Sequence, residues 1–211
     1  MRLIAVIGAA LALSACSSAT THSTPDSPAG TTSGSQPTST AAPLLDCTNP
    51  EDDTQRLVCN DPQLTELDRR LDTIYQQALD RPGTDKAALT LAQGHWAETR
   101  DQCAQNPDMR TCLQESYQTR LAQLAIADPA TAAPPVISYR CPAEDGPLTA
   151  QFYNELDPKT AVLTWRGDQY ILFVQLSGSG ARYGRQGVEY WEHQGEVQLD
   201  FHGTKFVCTT T

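Results

Sequence analysis

A proline- and alanine-rich stretch, Pro129–Pro135, divides the chain into two parts whose apolar residues repeat at different intervals. Before it, apolar side chains recur every three or four residues, which is the spacing of one helix face. After it, short runs alternate between apolar and polar residues, as strands with one buried face do. The sequence therefore predicts an α+β protein in two domains: a small disulfide-linked helical bundle over residues 44–128 and, after a linker at 129–136, a small antiparallel β-barrel over 137–211.

Turn and capping signals predict where the helices begin and end. Asn60-Asp61-Pro62 provides an N-cap with proline in the first turn, and Arg81-Pro82-Gly83 ends that helix. A second helix carries Leu89, Ala92, Trp96, Thr99 and Cys103 on one face, and the turn Asn106-Pro107-Asp108 separates it from a third. A short helical turn is expected around Pro50–Val58.

The second part contains seven short runs with β character, separated by turn signals such as Arg166-Gly167 and Gln194-Gly195. The runs are Val136–Arg140, Leu148–Tyr153, Ala161–Trp165, Tyr170–Leu176, Val188–His193, Glu196–Phe201 and Lys205–Cys208. Between the fourth and fifth runs lie the eleven residues Ser177–Gly187, rich in glycine and serine. A connection of this length is longer than two strands require, and we interpret it as a projecting binding loop rather than a simple linker.

The N-terminus predicts export and membrane attachment. Met1-Arg2 is a short basic start, Leu3–Leu13 is apolar, and the Leu-Ser-Ala-Cys ending at Cys16 resembles a bacterial lipobox. We expect residues 1–15 to be a lipoprotein signal peptide and Cys16 to be acylated, so that the acyl chains alone hold the protein on the extracytoplasmic face of the cell membrane. The alternative is an ordinary signal peptide with an incidental cysteine. Residues 16–43, mostly Ser, Thr, Ala and Pro, are expected to form a disordered tether.

Without Cys16, six cysteines remain, an even number that allows three disulfides. Cys141 and Cys208 lie near the two ends of the β part, where a bridge would close almost the whole domain. Cys47, Cys59, Cys103 and Cys112 allow three pairings, of which sequence proximity favours 47–59 and 103–112.

Composition and motifs argue against several functional classes. A formal net charge of -10 gives no cationic footprint for nucleic acid. The sequence has no P-loop, dinucleotide fingerprint, His-Glu-x-x-His or Gly-x-Ser-x-Gly motif, so we expect neither an enzyme nor a cofactor. The four histidines are scattered and the cysteines lack Cys-x-x-Cys spacing, so we expect no metal site.

The segment Ser177–Tyr183 resembles the signature of the membrane-bound inhibitors of c-type lysozyme, a family of small β-barrels, whose pattern is Ser-x-Ser-Gly-Ala-(Arg/Lys)-Tyr. Tyr190–Gly195 resembles the family's second motif, with His193 where the family has lysine, and Cys141 and Cys208 fit its framing cysteines. The helical half resembles the cysteine-containing LprI-type domain that precedes such a barrel in a family of lysozyme-inhibitor lipoproteins. The matching elements are Asp46-Cys47, Val58–Asp61, Leu67-Asp68, Arg100–Cys103 and Thr111-Cys112.

The resemblance implies a surface lipoprotein that inhibits c-type lysozyme and so protects the cell wall. In that family the serine loop enters the lysozyme cleft and bonds the catalytic carboxyl groups. Carried over, the inhibitory loop residues are Ser177, Ser179, Gly180, Arg182 and Tyr183, with Ser179 as the central donor, and Trp191 and His193 form a second contact. The alternative is a cell-envelope scaffold or adhesin whose helical domain binds an envelope protein; an enzyme acting on envelope glycans is a third, more distant class.

Two electrostatic expectations follow from the resemblance. A histidine replaces the family lysine as a cation only when protonated, which an unperturbed imidazole reaches near pH ~6.5, so inhibition should tighten towards acidic pH. The helical part has fifteen acidic and eight basic residues, and the β part nine and six. Animal c-type lysozymes are strongly basic, so this acidity would steer the two proteins together.

Overall fold

The computed structural model describes residues 45–210. The predicted signal peptide 1–15, the acylation site Cys16 and the tether 16–43 lie outside the described residues. Four α-helices precede the β part: α1 Asp53–Asn60, α2 Pro62–Asp80, α3 Lys86–Asp101 and α4 Met109–Ile126, with a 3-10 turn at Gln102–Gln105. None of the helices within residues 45–210 combines the length and hydropathy needed to cross a membrane.

An aspartate caps the N-terminus of every one of these helices. Its side chain accepts hydrogen bonds from backbone N–H groups that have no partner within the helix. The pairs are Asp52 with Gln55, Asp61 with Gln63 and Leu64, Asp85 with Ala88, and Asp108 with Thr111. Part of the acidic composition of the helical half therefore comes from aspartates that cap helices and fix where they begin.

The helical core is small and is supported by two disulfides. Leu64, Tyr75, Leu113 and Tyr117 are almost fully buried. Disulfides join Cys47 to Cys59 and Cys103 to Cys112, the pairing that sequence proximity favoured.

The prediction for the second helix was wrong in one respect. The helix ends at Asp101, and Cys103 lies in the 3-10 turn that follows. The buried residues of α3 are both polar, Gln93 and Arg100. Their burial is tolerated because each side chain has a hydrogen-bond partner: Gln93 accepts from Arg120 on α4, and Arg100 donates to the adjoining Asp101.

Eight antiparallel strands form a closed barrel in sequence order, with β1 paired to β8. They are β1 Ile137–Arg140, β2 Leu148–Tyr153, β3 Thr160–Trp165, β4 Asp168–Val174, β5 Ala181–Arg185, β6 Val188–His193, β7 Glu196–Phe201 and β8 Thr204–Thr210. Inward residues of these strands form one core, in which Trp165 stacks on Phe201 with ring centroids 4.4 Å apart. A disulfide joins Cys141 to Cys208. The predicted α+β fold class, a helical bundle followed by a β-barrel, is confirmed.

The predicted eleven-residue loop was wrong, and so was the count of seven strands. Ala181–Arg185 forms β5, which pairs with β6 along its whole length and with β4 at Phe173 and Val174. The loop therefore shrinks to the residues between β4 and β5. Glycines at positions 180, 184 and 187 have low β propensity, so the local sequence does not indicate a strand here. Pairing with β4 and β6 stabilises the strand in the folded protein.

The helices contact the barrel directly. On α2, the Arg70 guanidinium donates to the Asp157 carbonyl oxygen at 2.8 Å. On α4, Glu115 accepts from the backbone N–H of Gln186, in the turn between β5 and β6. The helical half thus touches the hairpin that carries the inhibitor-like motif.

Candidate functional site

Ser177–Gly180, here called the serine loop, connects the end of β4 to β5 and is exposed throughout. The Ser177 hydroxyl donates to the Ser179 carbonyl oxygen and accepts from the Ser179 backbone N–H at 3.4 Å. Among the described residues the Ser179 hydroxyl has no hydrogen-bond partner. The two serines therefore differ in role: Ser177 shapes the loop, and Ser179 presents a free hydroxyl.

Residues of strand β6 contact the base of the serine loop. The indole N–H of Trp191 donates to the Ser179 carbonyl oxygen at 3.1 Å. Gly180 has φ +70, and a Cβ atom at this position would lie 1.9 Å from the carbonyl oxygen of Glu192. Only glycine permits both this left-handed conformation and this close approach. The loop is thus fixed at its base by the Trp191 indole and by the close approach of Gly180 to the backbone of Glu192.

Trp191 and His193 lie two residues apart on β6, so their side chains share one face of the strand. Their rings stack with centroids 5.4 Å apart and an interplanar angle of 12°. His193 lies opposite Glu196 across the β6–β7 turn. The structure therefore brings Ser179, Trp191 and His193 together, as the predicted two-part contact requires.

Arg182 and Tyr183 were predicted as loop residues, but both lie on β5. Arg182 forms an ion pair with Glu189 at 2.8 Å, with both side chains partly exposed. Its guanidinium therefore lies along the side of the hairpin rather than in the loop.

Tyr183 points into the barrel, where it packs against Phe152 with ring centroids 5.3 Å apart. Its hydroxyl donates to Asn154 at 3.5 Å, and burial raises the pKa of this phenol. Tyr183 therefore anchors β5 in the core and positions the loop indirectly.

Leu176 is a neighbour of the serine loop that the sequence analysis did not single out. Its side chain is 98% exposed, the highest value among the exposed large apolar residues. The sequence pattern predicts Leu176 inside a strand, but that prediction was wrong, since β4 ends at Val174. The sequence did carry one signal that Leu176 could be an exposed loop residue: this apolar residue lies directly before Ser177-Gly178.

Residues 45–210 contain no group of three or more His, Cys, Asp or Glu side chains arranged to hold a metal ion. His193 is the last residue of β6, before β7 begins, and His202 directly follows the last residue of β7. The two histidines therefore lie at opposite ends of β7. The His202 backbone N–H donates to the Gly187 carbonyl oxygen at 2.6 Å, far along the hairpin from the Trp191–His193 stack.

Comparisons with known proteins agree with this architecture. A family described as membrane-bound lysozyme-inhibitor of c-type lysozyme matches residues 139–207, and one described as lysozyme inhibitor LprI matches residues 47–125. The chain is 63% identical over 211 residues to lipoprotein LprI of Mycobacterium tuberculosis and to that of Mycobacterium bovis, covering 100% of this chain and of each relative. The chain belongs to the LprI family. No solved structure matches it significantly.

The two family matches fall on the two structural parts of this LprI-family chain. The LprI match spans α1 to α4, and the inhibitor match contains the serine loop, Trp191 and His193. Both family descriptions are of inhibitors, so this LprI-family chain is an inhibitor rather than an enzyme.

Proposed function

We propose that this chain is a lipid-anchored surface protein that inhibits c-type lysozyme by inserting the serine loop into the active-site cleft. The observation that carries the proposal is the exposed Ser179 hydroxyl, which has no partner among residues 45–210 and stands on a loop fixed by Trp191 and Gly180. Family membership supports lysozyme as the target.

The chemistry of the target suits a hydroxyl donor. Glycoside hydrolases of this kind place two carboxyl groups on either side of the scissile bond, and both can accept a hydrogen bond. A hydroxyl at the position of a sugar oxygen would bind one of them. Because the Ser177 and Trp191 contacts already order the loop, little conformational entropy is lost on binding.

Charge and anchoring are consistent with this target. The chain carries an excess of acidic residues, which attracts a basic lysozyme and makes association sensitive to salt. Acylation of Cys16 and the tether 16–43 would hold the inhibitor on the extracytoplasmic face of the membrane, and the relatives are named lipoproteins. Residues 44–128 and 137–211 would act as the helical and inhibitory domains.

The test is a titration of c-type lysozyme with the purified chain, following peptidoglycan hydrolysis. Ser179→Ala removes a hydrogen bond to a charged acceptor, worth ~1.5–3 kcal/mol, and should weaken inhibition by about ten- to a hundredfold. Thr204→Ala is the matched control, because Thr204 is an exposed hydroxyl residue at the other end of β7 from the Trp191–His193 stack.

Equal inhibition by Ser179→Ala and the wild type would overturn the loop mechanism. A wild-type chain that leaves lysozyme fully active at equimolar ratio would overturn the function itself and favour the envelope scaffold.

A further inference from the structure

A concave site lies at the far end of the β5–β6 hairpin from the serine loop. It is a cleft of about 570 Å³ between α3, α4 and the turn at Arg185-Gln186. Its walls include the Trp96 ring, the Cys103–Cys112 disulfide and the side chains of Arg120 and Arg185. The helical part thus contributes an apolar wall and a cation to a space that the proposed lysozyme contact does not use.

Arg120 is a buried cation without an acidic partner among the described residues. Only 6% of the residue is exposed. Its Nε donates to Gln93 at 2.9 Å and its Nη1 to Gln123 at 3.4 Å, while its Nη2 has no partner within residues 45–210. Burial of the guanidinium lowers the pKa of Arg120. A buried charge held only by neutral amides is unfavourable unless an anion compensates it.

The barrel adds a second cation to the same cleft. The Nε of Arg185 is buried and has no hydrogen-bond partner among the described residues. The nearby acid is Glu115, which also lines the cleft and accepts the Gln186 backbone N–H through both of its carboxylate oxygens. His95, also on the wall, lies 3.5 Å from the Glu98 carboxylate. Among the residues that line the cleft, the two guanidinium groups thus outnumber the single carboxylate of Glu115, whose charge acts on Arg185.

We propose that this cleft binds a small organic carboxylate with an apolar body. The carboxylate bonds the Arg120 guanidinium by displacing the exposed Gln123 side chain, because a charge-assisted bond is stronger than the long bond to a neutral amide. The apolar body packs on Trp96 and the disulfide. This site is separate from the serine loop, and its test does not depend on lysozyme inhibition.

Benzoate and benzamide form a matched pair of probes, since they share the ring and differ in charge. The full chain has three tryptophans, and their indole N–H signals can be followed together by NMR. Trp96 is in the cleft, Trp165 is in the barrel core and Trp191 is beside the serine loop. We expect benzoate to shift the Trp96 signal in a saturable way while the other two stay fixed, and benzamide to leave all three unchanged.

Variants assign the effect to the two arginines. Arg120→Gln removes the proposed charge-assisted bond and Arg185→Gln removes the second positive charge of the cleft, so each should weaken benzoate binding at least about fivefold. Arg110→Gln is the control, because it removes an α4 arginine that already pairs with Asp61. If Arg120→Gln does not fold, Arg185→Gln on the barrel still decides the result.

Three outcomes would overturn the proposal: no saturable Trp96 shift, equal binding of benzamide, or unchanged benzoate binding in the foldable variants. Binding of inorganic phosphate as tight as that of benzoate would overturn the assignment to a carboxylate.

Discussion

Both carboxylate oxygens of Glu115 accept the backbone N–H of Gln186, at 2.9 and 3.0 Å. The side-chain oxygen of the same Gln186 accepts from the Asn106 amide at 2.9 Å. Two side chains of the helical part thus hold one residue of the β5–β6 turn. The opposite end of this hairpin carries Trp191 and the base of the serine loop, so the helical half helps to position the inhibitor-like hairpin.

Replacing Glu115 with glutamine should stabilise the protein at neutral pH. Burial raises the pKa of Glu115 above its ordinary 4.5, while the Gln186 N–H and Arg185 oppose the shift. A raised folded-state pKa means that stability is greatest below the unfolded value and is lost as pH rises through the folded value. Glu115→Gln keeps an acceptor for Gln186 without the buried charge.

Thermal unfolding at about pH 7 and about pH 4 checks this prediction. We expect the melting temperature of Glu115→Gln to exceed that of the wild type at the higher pH and to approach it at the lower one. Glu115→Ala, which loses the hydrogen bonds, should be less stable than the wild type at both. A destabilised glutamine variant at neutral pH would contradict the role assigned to burial.

The elements that the sequence predicted correctly depend on local signals. Asp61-Pro62 marks the start of α2 because an aspartate cap and a proline in the first turn act within a few residues. Val197, Leu199 and Phe201 alternate with polar residues, and all three are buried in the barrel. Such patterns need no knowledge of distant partners.

The features that sequence reasoning missed depend on distant partners. Strand β5 is stabilised by pairing on both sides and by the insertion of Tyr183 into the core, neither of which a glycine-rich segment shows locally. The bond between Arg70 and Asp157 joins residues 87 positions apart. The different roles of Ser177, which shapes the loop, and Ser179, which presents a free hydroxyl, likewise appear only in the folded loop.

Leu176 is expected to contribute apolar contact area to the lysozyme complex. It is 98% exposed beside Ser177, and burying a leucine side chain is worth ~1.5–3 kcal/mol. Leu176→Ser should therefore weaken binding by about tenfold or more without changing the melting temperature. Calorimetry of the variant with lysozyme measures the effect.

The matched control is Leu91→Ser, which alters an exposed leucine on α3 that is 62% exposed. If the two variants bind lysozyme equally well, Leu176 lies outside the interface.

His193 should make inhibition dependent on pH. It stacks on Trp191 beside the serine loop and lies opposite Glu196, so a proton on its ring places a cation next to the proposed contact. The sequence predicts that inhibition tightens between about pH 7 and about pH 5.5, and variants of this residue test that prediction. His193→Lys restores a permanent cation and should inhibit equally at both values. A pH profile shared by the wild type, His193→Lys and His193→Ala would remove His193 from the contact.

Gly180→Ala tests whether the fixed base of the serine loop is required for inhibition. The added methyl would lie 1.9 Å from the Glu192 carbonyl oxygen, in backbone that cannot yield without opening the β5–β6 pairing, and φ +70 is unfavourable for alanine. Relief of this clash must move the loop away from Trp191.

Gly178→Ala is the matched control in the same loop, because a Cβ there meets nothing within 4 Å. We expect Gly180→Ala to lose inhibition by at least about tenfold, since displacing Ser179 forfeits its bond to a charged acceptor, while Gly178→Ala stays near the wild type. The Trp191 indole N–H signal reports the loop directly: it should shift in Gly180→Ala alone, and an unchanged signal with full inhibition would show that the loop tolerates a side chain at its base.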